Sequence, residues 1–428
     1  MDIYVVQQDD TIYIIAERYG SSVERIAKDN GLEYPYNLAI GQALVITFPK
    51  QTHIIQQGDT LQSIADTYNI PIIQILRNNP YLTLREPFIG ETVVISFYTN
   101  RSIITIGFSF PFVLRETLVK TLPSLTYLSI FNYTVSEEGQ AIALYDDIEV
   151  INTSKDYGVV PLLLLTTLSP QGVPDIEAAY NILLNEEIQG RLINEFTDTM
   201  KQQGYQGLNI VFNFLNKNNQ SLYLNLVKKI SDRMKQENLW FFITINYVVQ
   251  ENDSTVSFEQ VDYSIFSNYA DGMIFLKFIW GSNENPPAPI SNINHIRELM
   301  RQIIFSIPKE KIFLGKPILG YDWQLPFVPG VTKANSLTVE SAFNLAYDTG
   351  SIIQFDEDSQ TPYFYYNDFS LAYPFQHIVW FIDARSLSAL DQLINEYGLN
   401  GSGIWNIMIY YQQLWTIINA SYDVIKLI

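Results

Sequence analysis

Gly204-Tyr205-Gln206-Gly207-Leu208-Asn209-Ile210-Val211-Phe212-Asn213-Phe214 is the stretch whose reading decides the fold and bounds the chemistry of this chain. It lies between two helix-patterned runs, 186–203 and 220–237, and its apolar residues read as a buried strand over 207–214. Residues two apart on a strand share a face, so Val211 and Asn213 point the same way. Val211 has no hydrogen-bonding group, and the Asn213 amide cannot release a proton near neutral pH. The strand therefore offers a frame for chemistry without an ionisable side chain on that face.

Working outward, apolar β-like runs alternate with helix-patterned stretches from Ser102 onward, the rhythm of a parallel α/β architecture. Eight strands are expected, at 103–108, 127–132, 159–165, 207–214, 240–246, 272–278, 312–319 and 403–409. The helices include 186–203, 220–237, 293–305 and 386–397, each with apolar residues three and four apart. The gap between strands seven and eight is too long for a plain crossover. Its aromatic runs, Gln354-Phe355-Asp356 and 361–366, predict a small α+β insertion near 325–384. A (β/α)8 barrel takes about 250 residues, so a chain of 428 holds one barrel and something smaller.

The smaller part is an internal repeat. Placing 2–48 on 51–97 aligns Gln8-Asp9-Asp10-Thr11 with Gln57-Gly58-Asp59-Thr60, Ile15-Ala16 with Ile64-Ala65, Asn30 with Asn79 and Val45-Ile46 with Val94-Ile95. Each copy reads β-α-α-β, and Asp10 and Asp59 are expected to cap the first helix. Gly58-Asp59-Thr60-Leu61, the asparagine after helix two and the closing Ile40–Ile46 run resemble the LysM module, which binds N-acetylglucosamine-containing polymers. That resemblance implies sugar contacts at Asp10, Thr11, Ile12 and Asn30, and at Gly58, Asp59, Thr60, Leu61 and Asn79. A bare pair of α+β repeats serving protein contacts is the competing reading, and Asp9 in place of the usual glycine favours it slightly.

Residues 102–428 resemble glycoside hydrolase family 18. The family's fourth strand reads D-G-hydrophobic-D-I-D-[FW]-E, and here the four acidic places hold Gln206, Asn209, Val211 and Asn213. Further likenesses are Gly320-Tyr321-Asp322-Trp323-Gln324-Leu325-Pro326, Gln360-Thr361-Pro362-Tyr363-Phe364, Val379-Trp380-Phe381-Ile382-Asp383-Ala384-Arg385-Ser386 and Trp405. The order of two LysM modules and a family 18 barrel resembles the spore-cortex-lytic N-acetylglucosaminidases.

In that family hydrolysis is retaining and substrate-assisted. A Glu protonates the leaving oxygen, the Asp two residues earlier orients the substrate acetamido group, and a strand-six Tyr hydrogen-bonds it. The resemblance places these roles at Asn213, Val211 and Phe278, so none is intact. It also implies a sugar cleft along Asn213, Trp280, Tyr321, Asp322, Trp323 and Trp405. Asp322, Glu251, Asp253 and Glu284 are other carboxylates near strand ends, but none has the spacing of Asn213.

Composition narrows the rest. A formal charge of −19 opposes nucleic acid and anionic membranes, and no apolar run reaches the ~18 residues of a spanning helix. The absence of cysteine excludes disulfides and thiolate metal sites, and His53, His295 and His377 lack metal spacing, so neither cofactor nor metal is expected. The N-terminus lacks the pattern of a signal peptide, so cytoplasmic synthesis followed by deposition on the spore coat, cortex or wall is expected. The leading expectation is an inactive family 18 relative that binds peptidoglycan or chitin-type glycan. The alternatives are a weakly active glycosidase and a LysM-targeted scaffold for protein partners that the sequence does not identify.

Overall fold

A computed structural model of the protein describes residues 1–136, 139–167, 175–247, 249–252, 255–277, 284–369 and 374–428. The expectations at Phe278, Trp280 and Asp253 fall outside them.

Local sequence explains how the decisive strand is entered. Asn185 caps the helix Glu186–Gln203 by accepting from the Glu187 and Ile188 amides, and Leu192, Ile193, Phe196 and Met200 form its buried face. Gly204 ends it in the left-handed conformation at φ 85°. Strand four, Gly207–Phe212, follows and is wholly buried.

Around it stand seven more parallel strands: Arg101–Ser109, Tyr127–Val135, Val160–Thr166, Trp240–Ile245, Gly272–Phe275, Ile312–Pro317 and Gly401–Trp405. They pair in chain order, and strand eight pairs with strand one, which closes the (β/α)8 barrel. The alternation of a pleated strand sorts the core into two layers. In strand three Val160, Leu162 and Leu164 fill the bore with Phe108, Val211, Ile274 and Trp405, while Leu163 and Leu165 pack outward beneath the helices. All eight expected strands are present, with ends shifted by a few residues.

The insertion is a five-stranded antiparallel sheet in the order Asn335–Leu337, Gly320–Gln324, Phe375–Phe381, Thr361–Asp368, Gln354–Asp356, with the helix Val339–Asp348. It begins at Gly320 and not near 325, because Gly320–Gln324 leaves the barrel and pairs along its whole length with Phe375–Phe381.

Each repeat forms β-α-α-β with its two strands antiparallel: Asp2–Val5 with Ala43–Ile46, and Gln51–Ile54 with Thr92–Ser96. The expected caps are corrected by one residue. Thr11 and Thr60 cap the first helices, accepting from the Ile14 and Ser63 amides. Asp10 and Asp59 instead close the preceding turns, accepting from the Gln7 and Gln56 amides at 2.8 and 2.6 Å. Asp9 takes the left-handed conformation of its counterpart Gly58, at φ 67° against 93°, which an aspartate tolerates better than most residues.

The last helix, Gln412–Ser421, carries no charge and is buried from Gln413 through Ala420, wedged between barrel and repeats. Gln413, Thr416 and Asn419, three residues apart, make a polar stripe that the repeats cover. Gln413 donates to Asn30 Oδ1 and the Ala43 carbonyl, Thr416 to the Asp29 carbonyl, and Asn419 to the Arg77 carbonyl. Both repeats are thus bolted to one helix.

They are also joined to each other. Lys28 of the first reaches Glu91 of the second at 2.8 Å, and Arg85 grips the same carboxylate at 2.6 and 2.9 Å. Burial alone would raise the Glu91 pKa, but Arg85, Lys28 and the Phe88 amide hold it down at about 2. A folded pKa below the unfolded 4.5 means stability that is complete above pH 4.5 and lost as pH falls toward 2. The melting-temperature gap between the natural chain and Glu91→Gln is therefore expected to be widest at pH 7 and to shrink by pH 3. A gap independent of pH would contradict this role for the carboxylate.

Candidate functional site

The inward face of strand four carries Asn209, Val211 and, just beyond its end, Asn213. Asn209 is fully buried; its amide donates to Ser129 Oγ at 3.0 Å and its oxygen accepts from Thr244 Oγ1 at 2.9 Å. This three-strand bridge satisfies polar groups that would otherwise be stranded in the bore. Val211 sits one step higher, 6 % exposed, in the apolar cluster with Phe108, Leu164, Ile274 and Trp405.

Asn213 is half-buried at the C-terminal mouth, where barrels of this kind place their chemistry. Its Nδ2 donates to Thr166 Oγ1 at 3.1 Å, and its buried Oδ1 has no hydrogen-bond partner among the described residues. The amide has no proton to give in acid catalysis. Trp405 lies beneath this mouth, 1 % exposed and 5.5 Å from the Phe108 ring.

The remaining expected cleft residues separate. Tyr321 and Trp323, on one face of Gly320–Gln324, pack against each other at 5.5 Å, and Trp323 donates through Nε1 to the Asn285 carbonyl. Trp323 is 2 % exposed, so its ring is core and offers no face to a sugar. Asp322, on the opposite face, accepts from Tyr366 at 2.7 Å and pairs with His377 Nδ1 at 2.9 Å. Both carboxylate oxygens thus hold bonds inside the insertion, a structural role beside the sugar contact expected of Asp322. Glu284, 2.6 Å from Lys333, has its carboxyl held below the usual range by that ammonium. The side chain of Glu251 lies outside the described residues.

In the repeats, Asn30 and Asn79 are structural pins. Each amide donates to two backbone carbonyls, Ile26 and Val45 or Ile75 and Val94, and each oxygen accepts from the closing strand, at Val45 or Val94. Ile12 is core at 2 % exposure and Leu61 is half-buried, while Thr11, Gly58 and Thr60 lie at the surface.

One feature of the mouth was not anticipated. Phe110 and Phe112, following strand one, stack at 5.2 Å, and Tyr145 meets Phe112 at 5.0 Å. Phe112 and Tyr145 are half exposed, at 54 % and 51 %. The run Phe108-Ser109-Phe110-Pro111-Phe112 was visible in the sequence, but only the fold brings Tyr145 beside it.

With this geometry in place, comparison with known proteins decides the family. The pattern for glycosyl hydrolases family 18 matches residues 172–408, and the LysM domain pattern matches 4–47 and 53–96. The chain belongs to glycosyl hydrolase family 18. It is 35 % identical to the cortical fragment-lytic enzyme of Bacillus subtilis, over 100 % of this chain and 99 % of that protein. The Bacillus anthracis cortical fragment-lytic enzyme is 32 % identical over 100 % and 99 %. The crystal structure of the Bacillus cereus spore cortex-lytic enzyme SleL superposes with a TM-score of 0.79 at 27 % identity, covering 99 % of each chain. Among the described residues, no helix is long and apolar enough to cross a membrane.

Proposed function

We propose that this family 18 chain binds N-acetylglucosamine-containing glycan, of the class found in spore-cortex peptidoglycan, without hydrolysing it at glycosidase rates. The observation that carries the reading is the end of strand four. Its frame is that of a family 18 strand, yet Val211 is embedded in apolar side chains and Asn213 presents an amide where acid catalysis needs a carboxyl. Loss of a positioned general acid alone removes on the order of 10²–10⁴ in rate. The orienting group is missing as well, and the neighbouring carboxylates Asp322 and Glu284 are engaged elsewhere.

Binding is supported by a different set of groups: two LysM modules and the exposed aromatic platform of Phe112 and Tyr145 at the mouth. The names of the relatives, cortical fragment-lytic enzymes, give the substrate class and favour the second reading, a slow hydrolase of cortex glycan. They also support the spore cortex or wall as the proposed place of action. Calorimetric titration of the full chain with chitotetraose or cortical muropeptides, followed by mass spectrometry of the recovered ligand, separates the two. The proposal expects heat of binding and intact ligand. Recovery of shortened saccharides in proportion to time and enzyme would favour the hydrolase.

A further inference from the structure

A cavity of about 900 Å³ lies between the first LysM module, the insertion and the loops that leave barrel strands seven and eight. Neither Val211 nor Asn213 lines it, but Trp405 and Tyr321 do, so it adjoins the mouth of the barrel without being the catalytic position. Its size falls in the range of about 300–1,000 Å³ typical of ligand sites.

The walls are fixed relative to each other. The Ile353 amide donates to the Ile40 carbonyl at 2.9 Å, and Arg385 Nη2 to the Gly41 carbonyl at 3.2 Å. Gly41 has φ +84°, and a Cβ there would lie 2.0 Å from the Ile353 carbonyl oxygen, so module and insertion approach as closely as a glycine permits. With the Gln413 bonds beneath, the first module is a structural wall of the cavity and not a tethered appendage.

The lining has the chemistry of a saccharide site. Pyranose rings combine apolar C–H faces with a rim of hydroxyls, and the cavity offers the exposed ring of Tyr34 and the half-buried ring of Tyr410 together with the exposed side-chain amides of Asn37 and Asn344. The Tyr410 hydroxyl is buried and has no hydrogen-bond partner among the described residues. Burial pushes its pKa well above the ordinary tyrosine value, so it remains a neutral donor and acceptor. One cation, Lys120, lies 4.8 Å from the Tyr410 ring, and Glu33 and Glu340 also line the cavity. That balance suits an uncharged ligand better than a polyanion.

We propose that this cavity is a composite site in which the first LysM module and the barrel hold a single run of N-acetylglucosamine-type units between them. The inference rests on the glycan-binding reading and adds a location to it: the module acts as one wall of the barrel's binding surface.

Calorimetric titration of the full chain with chitotetraose tests it through Tyr34→Ala and Ser336→Trp. Both positions are exposed, Tyr34 at 80 %, so neither change disturbs the core. Removing one ring-stacking contact is expected to raise Kd roughly fivefold. The added indole should obstruct the cavity and raise it by roughly tenfold or more. Unchanged circular dichroism and melting temperature establish that the variants fold. If the natural chain binds and both variants match its affinity and stoichiometry, the cavity is not the site, although glycan binding stands. A natural chain that binds neither chitotetraose nor cortical muropeptide overturns both readings.

Discussion

Restoring the family's groups by Val211→Asp, Asn213→Glu and Phe278→Tyr together is expected to yield chitooligosaccharide cleavage at least ~10² faster than in the natural chain. Position 213 lies at the strand end, half-buried, beside Thr166 and in a mouth that keeps an oxygen unpaired. A glutamate there gains a protonatable group and one methylene of reach. Position 211 is harder to convert. An aspartate would stand among Phe108, Leu164, Ile274 and Trp405, and its strand neighbour Thr244 already gives its hydroxyl proton to Asn209.

Burying that carboxyl with few donors is expected to cost about 1–3 kcal/mol and to raise its pKa. Val211→Asp alone should therefore destabilise without activating, and Asn213→Glu alone should lack the partner that orients the acetamido group. Activity should emerge only in combination, because groups that act as a unit are not additive. A folded, glycan-binding triple variant that releases no product would mean that the bore itself, and not the missing groups alone, has been rebuilt.

Lys316→Ala should be the most damaging single change away from the mouth, at about 3–5 kcal/mol in chemical denaturation. Lys316 on strand seven has a fully buried side chain, and its Nζ meets Asp391 Oδ1 at 2.6 Å on the helix Ala384–Tyr397. The other oxygen, Asp391 Oδ2, already lacks a partner among the described residues. Removing the ammonium would leave a carboxylate in a dry interface with nothing to offset its lost hydration. The paired change Lys316→Met with Asp391→Leu should come out near neutral, because both desolvation costs vanish with the charges. A loss below about 1 kcal/mol for Lys316→Ala would show that water reaches the pair.

The barrel was legible because its strands are short apolar runs set between amphipathic helices such as Glu186–Gln203, where period and caps agree. The LysM repeats were legible because one offset aligns both copies. The start of the insertion was not. Gly320–Gln324 follows the barrel strand Ile312–Pro317 almost directly, and only its antiparallel partner Phe375–Phe381 reveals which sheet it joins. The role of Gln412–Ser421 was equally hidden, since a polar stripe of Gln413, Thr416 and Asn419 on an uncharged helix does not name what it bonds.

Among site residues, Val211 and Asn213 share the face that their spacing required. Asn30, Asn79, Asp322 and Trp323 share bonds within the protein that their residue types did not foretell. Residue type suggests a sugar contact, but burial and hydrogen bonds to the protein's own groups decide whether an atom is available, and those depend on residues far along the chain.

The most direct test of a binding chain without ordinary turnover is prolonged incubation of the full-length protein with cortical muropeptides and chitooligosaccharides, with products followed by mass spectrometry. The expected result is retention of substrate length at protein concentrations where calorimetry shows the ligand bound. Cleavage at glycosidase-like turnover, roughly 1 s⁻¹ or faster, would contradict the account and require a proton donor other than the residue at 213.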